Sequence, residues 1–288
     1  MDYFLCTSAY FAGKRGFEKS FHPYRTGNHI STGSKTPNQA DNQGSGVTLN
    51  SSTKTFSGFG HDFAIHINSS DVIFDGMGAI LDGGGYTQYG ILVNNQSANN
   101  FNSLSSNPLG KISIKNITLI NFVQAGILFN KVIDTLSGPG SNPSSITNVN
   151  ASYNGDNSGI VLENSNGIEV SSNTVSNNHK INVGGLGYGI SLVSSNNNNL
   201  IRNIADYNPE YGFKVEDSSS NTFSGNTATG NNLSGFYVYH SDSNTFTGNK
   251  GCYIWDNSSF IPSDINYCNS TPSPTGTPDP YSPPAAPS

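Results

Sequence analysis

A four-residue hydrophobic pattern recurs along the chain and is its strongest structural signal. Each copy reads glycine, apolar residue, any residue, apolar residue, as in GILV at Gly90 and GFYV at Gly235. Because side chains alternate between the two faces of a β-strand, the two apolar residues of each copy are predicted to point inward and the residue between them outward. The copies begin at Gly90, Gly126, Gly159, Gly189, Gly212 and Gly235, and a degenerate copy, FAIHI, surrounds Ile65.

Two further short segments bounded by asparagine follow each later copy, for example NTFSGN from Asn221 and NTATGN from Asn226. The repeat therefore contains three short strands, and its period of about 23 residues in the last copies is typical of solenoids. A unit of this size cannot bury its apolar side alone, so the units must stack and share a core. The sequence predicts an all-β fold, a single-stranded right-handed parallel β-helix with three short strands per coil. The boundary asparagines suit tight turns and amide ladders.

The pattern divides the chain into three regions. Residues 46–256 are predicted to form the β-helix, and residues 1–45 an irregular N-terminal segment or cap over the first coil. Residues 257–288 are predicted to be a C-terminal flap and a Pro/Ser/Thr-rich linker or stalk, which would join the β-helix to further domains. Cys252 and Cys268 are candidates for a disulfide that pins the flap; two free thiols are the alternative, and spacing alone leaves both open.

Composition narrows the possible partners and the location. Only 11% of the residues are charged, the net charge is −6 and no Lys/Arg cluster is present, so nucleic acid is excluded as an expected partner. No stretch approaches the roughly 18 apolar residues of a transmembrane helix, so no membrane insertion is expected. A secretory signal peptide is not visible, because the basic residues of the first segment follow the apolar ones.

Two columns of outward positions are predicted along the first strand of successive coils. The central column reads His66, Leu92, Leu128, Val161, Ser191, Lys214 and Tyr237, and the next reads Asn68, Asn94, Asn130, Glu163, Val193, Glu216 and Tyr239. Only the C-terminal part is polar and aromatic, and its candidate ligand-binding residues are Lys214, Glu216, Tyr237, Tyr239 and His240. Aromatic faces pack on sugar C–H groups and carboxylates accept hydroxyl protons, so a glycan is the expected ligand. An ordinary exposed β-surface is the alternative.

Several segments resemble a known family. They are GISLVSSNNNNLIRNIADYN, VEDSSSNTFSGNTATGNN and VYHSDSNTFTGNKG, and DVIFDGMGAILDGGG is similar to the segment that opens such domains. The family is the NosD-like repeat proteins of the bacterial periplasm and of archaeal surfaces. The resemblance implies a pectin lyase-like right-handed β-helix in a secreted, cell-surface or periplasmic protein. It says little about activity, because this scaffold carries lyases, hydrolases, epimerases, adhesins and inert modules.

The sequence gives only weak evidence for a catalytic site and none for a metal site. The catalytic candidates are Glu163, Glu216, Lys214 and His240. The two glutamates are predicted to lie two coils apart, about 10 Å, beyond the roughly 6.5–9.5 Å expected for inverting glycosidases. A uronate lyase or epimerase needs clustered cations, and the only arginine of the predicted coils is Arg202. No cofactor and no metal site are expected, because the histidines are scattered. They lie at His22, His29, His61, His66, His179 and His240.

Three functions follow from this sequence. The leading hypothesis is a secreted or surface-displayed β-helix module, structural or glycan-contacting and non-catalytic. The alternative is a polysaccharide-active enzyme, a lyase, hydrolase or epimerase, that uses the outer face of the C-terminal coils. The second alternative, which comes from the family resemblance, is a NosD-like copper-maturation protein.

Overall fold

A computed structural model describes residues 30–31, 55–56, 62–95, 107–134, 143–155, 158–178 and 187–256. Within these ranges the regular structure is all β-strand and includes no helix long and apolar enough to cross a membrane. The strands are β1 (Ile30–Ser31), β2 (Thr55–Phe56), β3 (Phe63–Ile67), β4 (Val72–Asp82), β5 (Tyr89–Val93), β6 (Ile112–Ile120), β7 (Ala125–Asn130), β8 (Ser145–Asn150), β9 (Ser158–Glu163), β10 (Glu169–Ser171), β11 (Tyr188–Val193), β12 (Asn199–Ile201), β13 (Tyr211–Glu216), β14 (Thr222–Ser224), β15 (Thr227–Ala228), β16 (Ser234–Tyr239), β17 (Thr245–Thr247), β18 (Lys250–Gly251) and β19 (Tyr253–Asp256).

The strands stack as successive coils of one parallel β-helix. The first strand of each coil joins a nine-stranded sheet in the order β1-β3-β5-β7-β9-β11-β13-β16-β19, and the second joins an eight-stranded sheet in the order β17-β14-β12-β10-β8-β6-β4-β2. The third strand is short and pairs through β15–β18 and isolated parallel bridges. Neighbours from β3 onward are parallel and one coil apart. The predicted fold class is confirmed.

The recurring tetrads align along the axis as predicted. The first apolar positions pair in register through Ile65, Ile91, Ile127, Ile160, Ile190, Phe213 and Phe236. All of these are fully buried. In the last coils the column becomes aromatic, and the rings of Phe213 and Phe236 stack at 4.8 Å while Phe223 packs edge-on against both. Burial of such side chains contributes about 1.5–3 kcal/mol each, which makes the stacked interior the main source of stability.

Inward-pointing asparagines form ladders beside this core. One ladder consists of Asn173, Asn203, Asn226 and Asn249, each buried, and each Oδ1 from Asn203 onward accepts both the backbone N–H and the Nδ2–H of the previous member. Parallel ladders run through Asn154, Asn178, Asn208 and Asn231 and through Asn198, Asn221 and Asn244. The asparagines therefore satisfy the backbone groups that each corner leaves unpaired.

The corners use left-handed backbone at fixed places in each coil. The row that follows the first strand consists of Lys131, Asn164, Ser194, Asp217 and His240, with φ between 46° and 58°. Glycine adopts this conformation most readily, and asparagine, aspartate and histidine are the other residues enriched there. The last two members of the row lie beside the polar end of the nine-stranded sheet, which places a carboxylate and an imidazole at its border.

The outer face of the nine-stranded sheet is not solvent-exposed along its whole length. The central outward column was predicted to face solvent, but His66, Leu92, Leu128, Val161 and Ser191 are all buried. The apolar members form a second cluster with Phe63 and Ala125, separate from the interior. The prediction is wrong for these coils because alternation gives the face on which a side chain lies and not whether that face is covered. Exposure of the column begins at Lys214.

One strand and one disulfide-bonded cysteine are described near the predicted terminal regions. β1, within the predicted N-terminal segment, pairs antiparallel with β3 at the edge of the nine-stranded sheet. Cys252 is disulfide-bonded, whereas its predicted partner, Cys268, lies outside the described residues. The linker beyond residue 256 also lies outside them.

Candidate functional site: the tyrosine face of the C-terminal coils

Four tyrosine rings lie parallel on the outer face of β11, β13 and β16. The ring centroids of Tyr188 and Tyr211 are 5.7 Å apart with an interplanar angle of 13°, and those of Tyr211 and Tyr237 are 4.5 Å apart at 8°. Tyr237 and Tyr239 follow at 6.3 Å and 8°. We call this surface, with Lys214, Glu216 and His240, the tyrosine face. Tyr188, Tyr211 and Tyr237 cross three successive coils along the axis of the solenoid, and Tyr239 extends the surface along β16.

The glycines of the tetrads make this close stacking of coils possible. A Cβ atom on Gly189 would lie 2.5 Å from the carbonyl oxygen of Gly212, and one on Gly212 would lie 2.7 Å from that of Gly235. A side chain at either position would force the backbone of adjacent coils to shift. The residue before each glycine, Tyr188 or Tyr211, points outward, and aromatic residues on adjacent strands stabilise a sheet through cross-strand contacts.

Lys214 and Glu216 form an ion pair at the centre of the tyrosine face. The Nζ atom of Lys214 lies 2.6 Å from Oε2 of Glu216 and 5.2 Å from the centroid of the Tyr188 ring. The lysine side chain is 16% exposed and the glutamate side chain 31%. The ammonium group is thus held between a carboxylate and an aromatic face, and the carboxylate is the more accessible member of the pair.

Tyr188 is buried beneath this pair, and its hydroxyl group resists ionisation. Burial raises the pKa of Tyr188 most, and the nearby Glu210 carboxylate, which accepts a hydrogen bond from the hydroxyl, raises it further. Tyr211 and Glu216 act in the same direction. The phenol therefore remains protonated in the physiological range and serves as a hydrogen-bond donor.

His240 and Asp217 close the tyrosine face at its corner. The His240 ring lies 3.7 Å from the ring of Tyr239, centroid to centroid, and its Nδ1 atom lies 3.7 Å from Oδ1 of Asp217. Both side chains of this contact are exposed. The contact covers one side of the Tyr239 ring and leaves the imidazole accessible to solvent.

The structure brings some of the predicted site residues together and separates others. Lys214, Glu216, Tyr237, Tyr239 and His240 lie in one patch. The remaining catalytic candidate, Glu163, pairs in register with Val193, which in turn pairs with Glu216. Its Oε2 atom accepts a hydrogen bond of 3.1 Å from Nδ2 of Asn130. The two glutamates are therefore two strands apart, as the spacing of the repeats predicted.

The sequence pattern did not identify Tyr188, Tyr211 or Glu210 as part of the site. The signal was present, because a tyrosine precedes the glycine in YGILV, YGISL and YGFKV. The repeat was defined from the glycine onward, so this position lay outside the pattern. In the structure it begins the strand and forms a third outward column.

Comparisons with known proteins agree with the fold. A family model described as "Periplasmic copper-binding protein (NosD)" matches residues 93–258, which is more than half of the chain. No curated protein matches this chain. Among solved structures, Geobacillus virus E2 ORF18 is similar with a TM-score of 0.53 and 13% identity, over 72% of this chain and 41% of that one. The chain spans less than half of that structure, and a likeness at this identity concerns the fold alone.

The described residues do not fit a copper centre. They include no group of three His, Cys, Asp or Glu side chains that converge on one point. His66 is buried with Nε2 hydrogen-bonded to Oδ1 of Asn94 at 2.8 Å, His240 stands at the exposed corner, and Cys252 is held in a disulfide. Copper sites need several converging imidazole, thiolate or thioether ligands.

Proposed function

The chain belongs to the NosD family, and from that premise we propose that it is an exported, non-catalytic β-helix protein that holds a carbohydrate against its tyrosine face. The observation that carries the proposal is the row of four parallel tyrosine rings with the Lys214–Glu216 pair at its centre. The row crosses three coils, about 10 Å at about 4.8 Å per strand, and Lys214 covers its Tyr188 end. A linear oligosaccharide aligned with the axis matches this shape.

The mode of contact follows from the stacking. At 4.5 Å between centroids, the faces of Tyr211 and Tyr237 cover each other, so a ligand meets ring edges and hydroxyl groups. Tyrosine offers large contact area and hydrogen bonding with few rotatable bonds, so little conformational entropy is lost on binding. Glu216 adds a carboxylate that accepts sugar hydroxyl groups.

The same geometry favours binding over catalysis. A base for proton abstraction needs a pKa close to the working pH, whereas burial and carboxylates raise the pKa of Tyr188. Lys214 is engaged with Glu216, and Glu163 lies two strands away from that carboxylate. These contacts supply neither a poised base nor an acid and base on opposite sides of one sugar bond.

The location is part of the proposal. The matched family is described as periplasmic, and the Pro/Ser/Thr-rich sequence after residue 256 is typical of an extended stalk. We therefore propose a periplasmic or extracellular position in which the C-terminal segment carries the β-helix away from its attachment point. Display of this kind leaves the tyrosine face open to glycans.

A glycan array tests the proposal directly. Tyr237→Ala is expected to weaken binding of the retained glycan about tenfold, equivalent to roughly 1.4 kcal/mol. Tyr207→Ala, which removes a 65% exposed tyrosine at a different corner, is expected to leave binding unchanged. Tyr237→Phe separates the hydroxyl contribution from that of the ring. Absence of glycan binding, or equal losses in the two alanine variants, would count against the tyrosine face.

Turnover is measured in the same samples. New reducing ends or unsaturated sugars, abolished in Glu216→Gln, would overturn the non-catalytic assignment and favour the carbohydrate-active enzyme. Bound glycan recovered intact supports the proposal.

Copper handling is the second candidate, and the family description favours it. Because the described residues do not supply a site, this candidate depends on ligands outside them, which include His22, His29, His61 and His179. Titration of the intact chain with Cu(I) against a chelator of known affinity decides it. Stoichiometric uptake that is lost when these histidines are replaced would establish the copper function; no uptake would remove it.

A further inference from the structure

Carboxylates outnumber cations on the tyrosine face. Among the residues of β9, β11, β13 and β16, Lys214 is the one lysine or arginine, whereas Glu163 and Glu216 lie in the adjacent outward column. Glu210 borders the face at Tyr188, and Asp217 lies at its corner. Lys131 lies at the corner beside Glu163, and among the described residues the four carboxylates still outnumber the two lysines.

The single lysine of these strands is not available to pair with an anionic ligand. Its ammonium group is 2.6 Å from the Glu216 carboxylate and less exposed than that carboxylate. An approaching ligand therefore meets the acceptor oxygens of Glu216 before it meets the ammonium. A bound anion would also have to break an ion pair that the Tyr188 ring supports.

The carboxylates that border the tyrosine face also act on Tyr188. Burial raises the pKa of Tyr188 most, and Glu210, Tyr211 and Glu216 raise it further. The carboxylates of Glu210 and Glu216 also act on a ligand bound at the tyrosine face beside Lys214. Like charges at short range destabilise a complex, and a partly buried site screens them less than water does.

We propose that the tyrosine face prefers neutral or amino-sugar glycans to polyuronates, an inference that rests on the proposed function. A uronate carboxylate would lie against Glu216 without a cation to neutralise it. The ammonium group of an amino sugar gains a carboxylate partner at the same place, and a neutral sugar gains only hydroxyl contacts. The expected order of affinity is therefore glucosamine oligomer, N-acetylglucosamine oligomer, galacturonate oligomer.

Isothermal titration of the intact chain with these three oligomers, matched in length, tests the inference. The glucosamine oligomer is expected to bind at least about fivefold more tightly than the galacturonate oligomer at low salt, since one exposed charge contact is worth roughly 1 kcal/mol. Added salt is expected to narrow the difference. Glu216→Gln frees Lys214 and is expected to strengthen galacturonate binding about fivefold.

Glu169→Gln is the matched control, because Glu169 lies on β10 of the other sheet, where its Oε1 accepts a hydrogen bond from Ser171. It is expected to change none of the three affinities. Galacturonate binding as tight as glucosamine binding, or an unchanged order in Glu216→Gln, would overturn the charge preference and leave glycan binding intact. If none of the oligomers and no array glycan binds, the proposed function itself fails.

Discussion

Replacement of Asn203 by alanine should destabilise the β-helix more than any surface substitution. The side chain is fully buried and makes four hydrogen bonds. Its Oδ1 accepts from the backbone N–H of Asn173 at 3.1 Å and from Nδ2 of Asn173 at 2.9 Å. Its Nδ2 donates to the carbonyl oxygen of Val170 at 2.8 Å and to Oδ1 of Asn226 at 3.0 Å. The ladder therefore connects three successive coils through this one amide.

The magnitude follows from what the substitution leaves behind. A typical hydrogen bond contributes about 1 kcal/mol net, and a buried donor without a partner costs about 1–3 kcal/mol. Alanine removes four bonds, and the N–H of Asn173 is left buried without its acceptor. The free energy of unfolding should fall by roughly 4 kcal/mol, a large part of the 5–15 kcal/mol typical of a native domain.

Urea denaturation followed by far-UV circular dichroism measures the change. Asn199→Ala is the matched control, because Asn199 lies in the same coil on β12 between Glu169 and Thr222 and is not fully buried. It should change stability by no more than about 0.5 kcal/mol. A loss below about 1 kcal/mol in Asn203→Ala, or equal losses in the two variants, would refute the role of the ladders.

Two further predictions concern the tyrosine face. Gly189→Ala should lower the thermal midpoint, at a cost of about 1–3 kcal/mol, because its Cβ would lie 2.5 Å from a backbone oxygen of Gly212; an unchanged midpoint would contradict the close packing of these coils. The pKa of Tyr188 is higher in the folded chain than in the unfolded chain. Its protonated form therefore contributes to stability below about pH 10, and this contribution is lost as pH rises further. Wild type should therefore lose more stability between about pH 9 and pH 11 than Tyr188→Phe does, and equal losses would exclude Tyr188 as the cause.

The interior of the fold was predictable from sequence because its determinants are local and periodic. Ile91, Ile127 and Ile160 occupy equivalent positions in their tetrads, and the structure aligns them. Insertions between coils did not obscure the pattern, because added residues change the loop and not the register of the strand. Stacking of apolar positions is the only way that such short units bury their surface.

The outer surface was less predictable, because exposure depends on what covers a face. Leu92 and Leu128 point outward as the alternation requires, yet they are buried. Their apolar character was itself the signal, since a run of leucine and valine on an outer column indicates a covered face. Tyr188 and Tyr211 were missed for a different reason: the repeat was defined from its glycine, and each tyrosine precedes that glycine. The ion pair of Lys214 with Glu216 depends on side-chain conformation, which spacing does not report.

The most direct test of the central claim is NMR observation of tyrosine ring resonances during titration with the oligosaccharide that the array retains best. Tyr211, Tyr237 and Tyr239 are predicted to shift together along one binding curve, while the exposed Tyr153 and Tyr207 remain unchanged. Shifts confined to Tyr153 and Tyr207, or spread evenly over all five rings, would contradict binding at the tyrosine face.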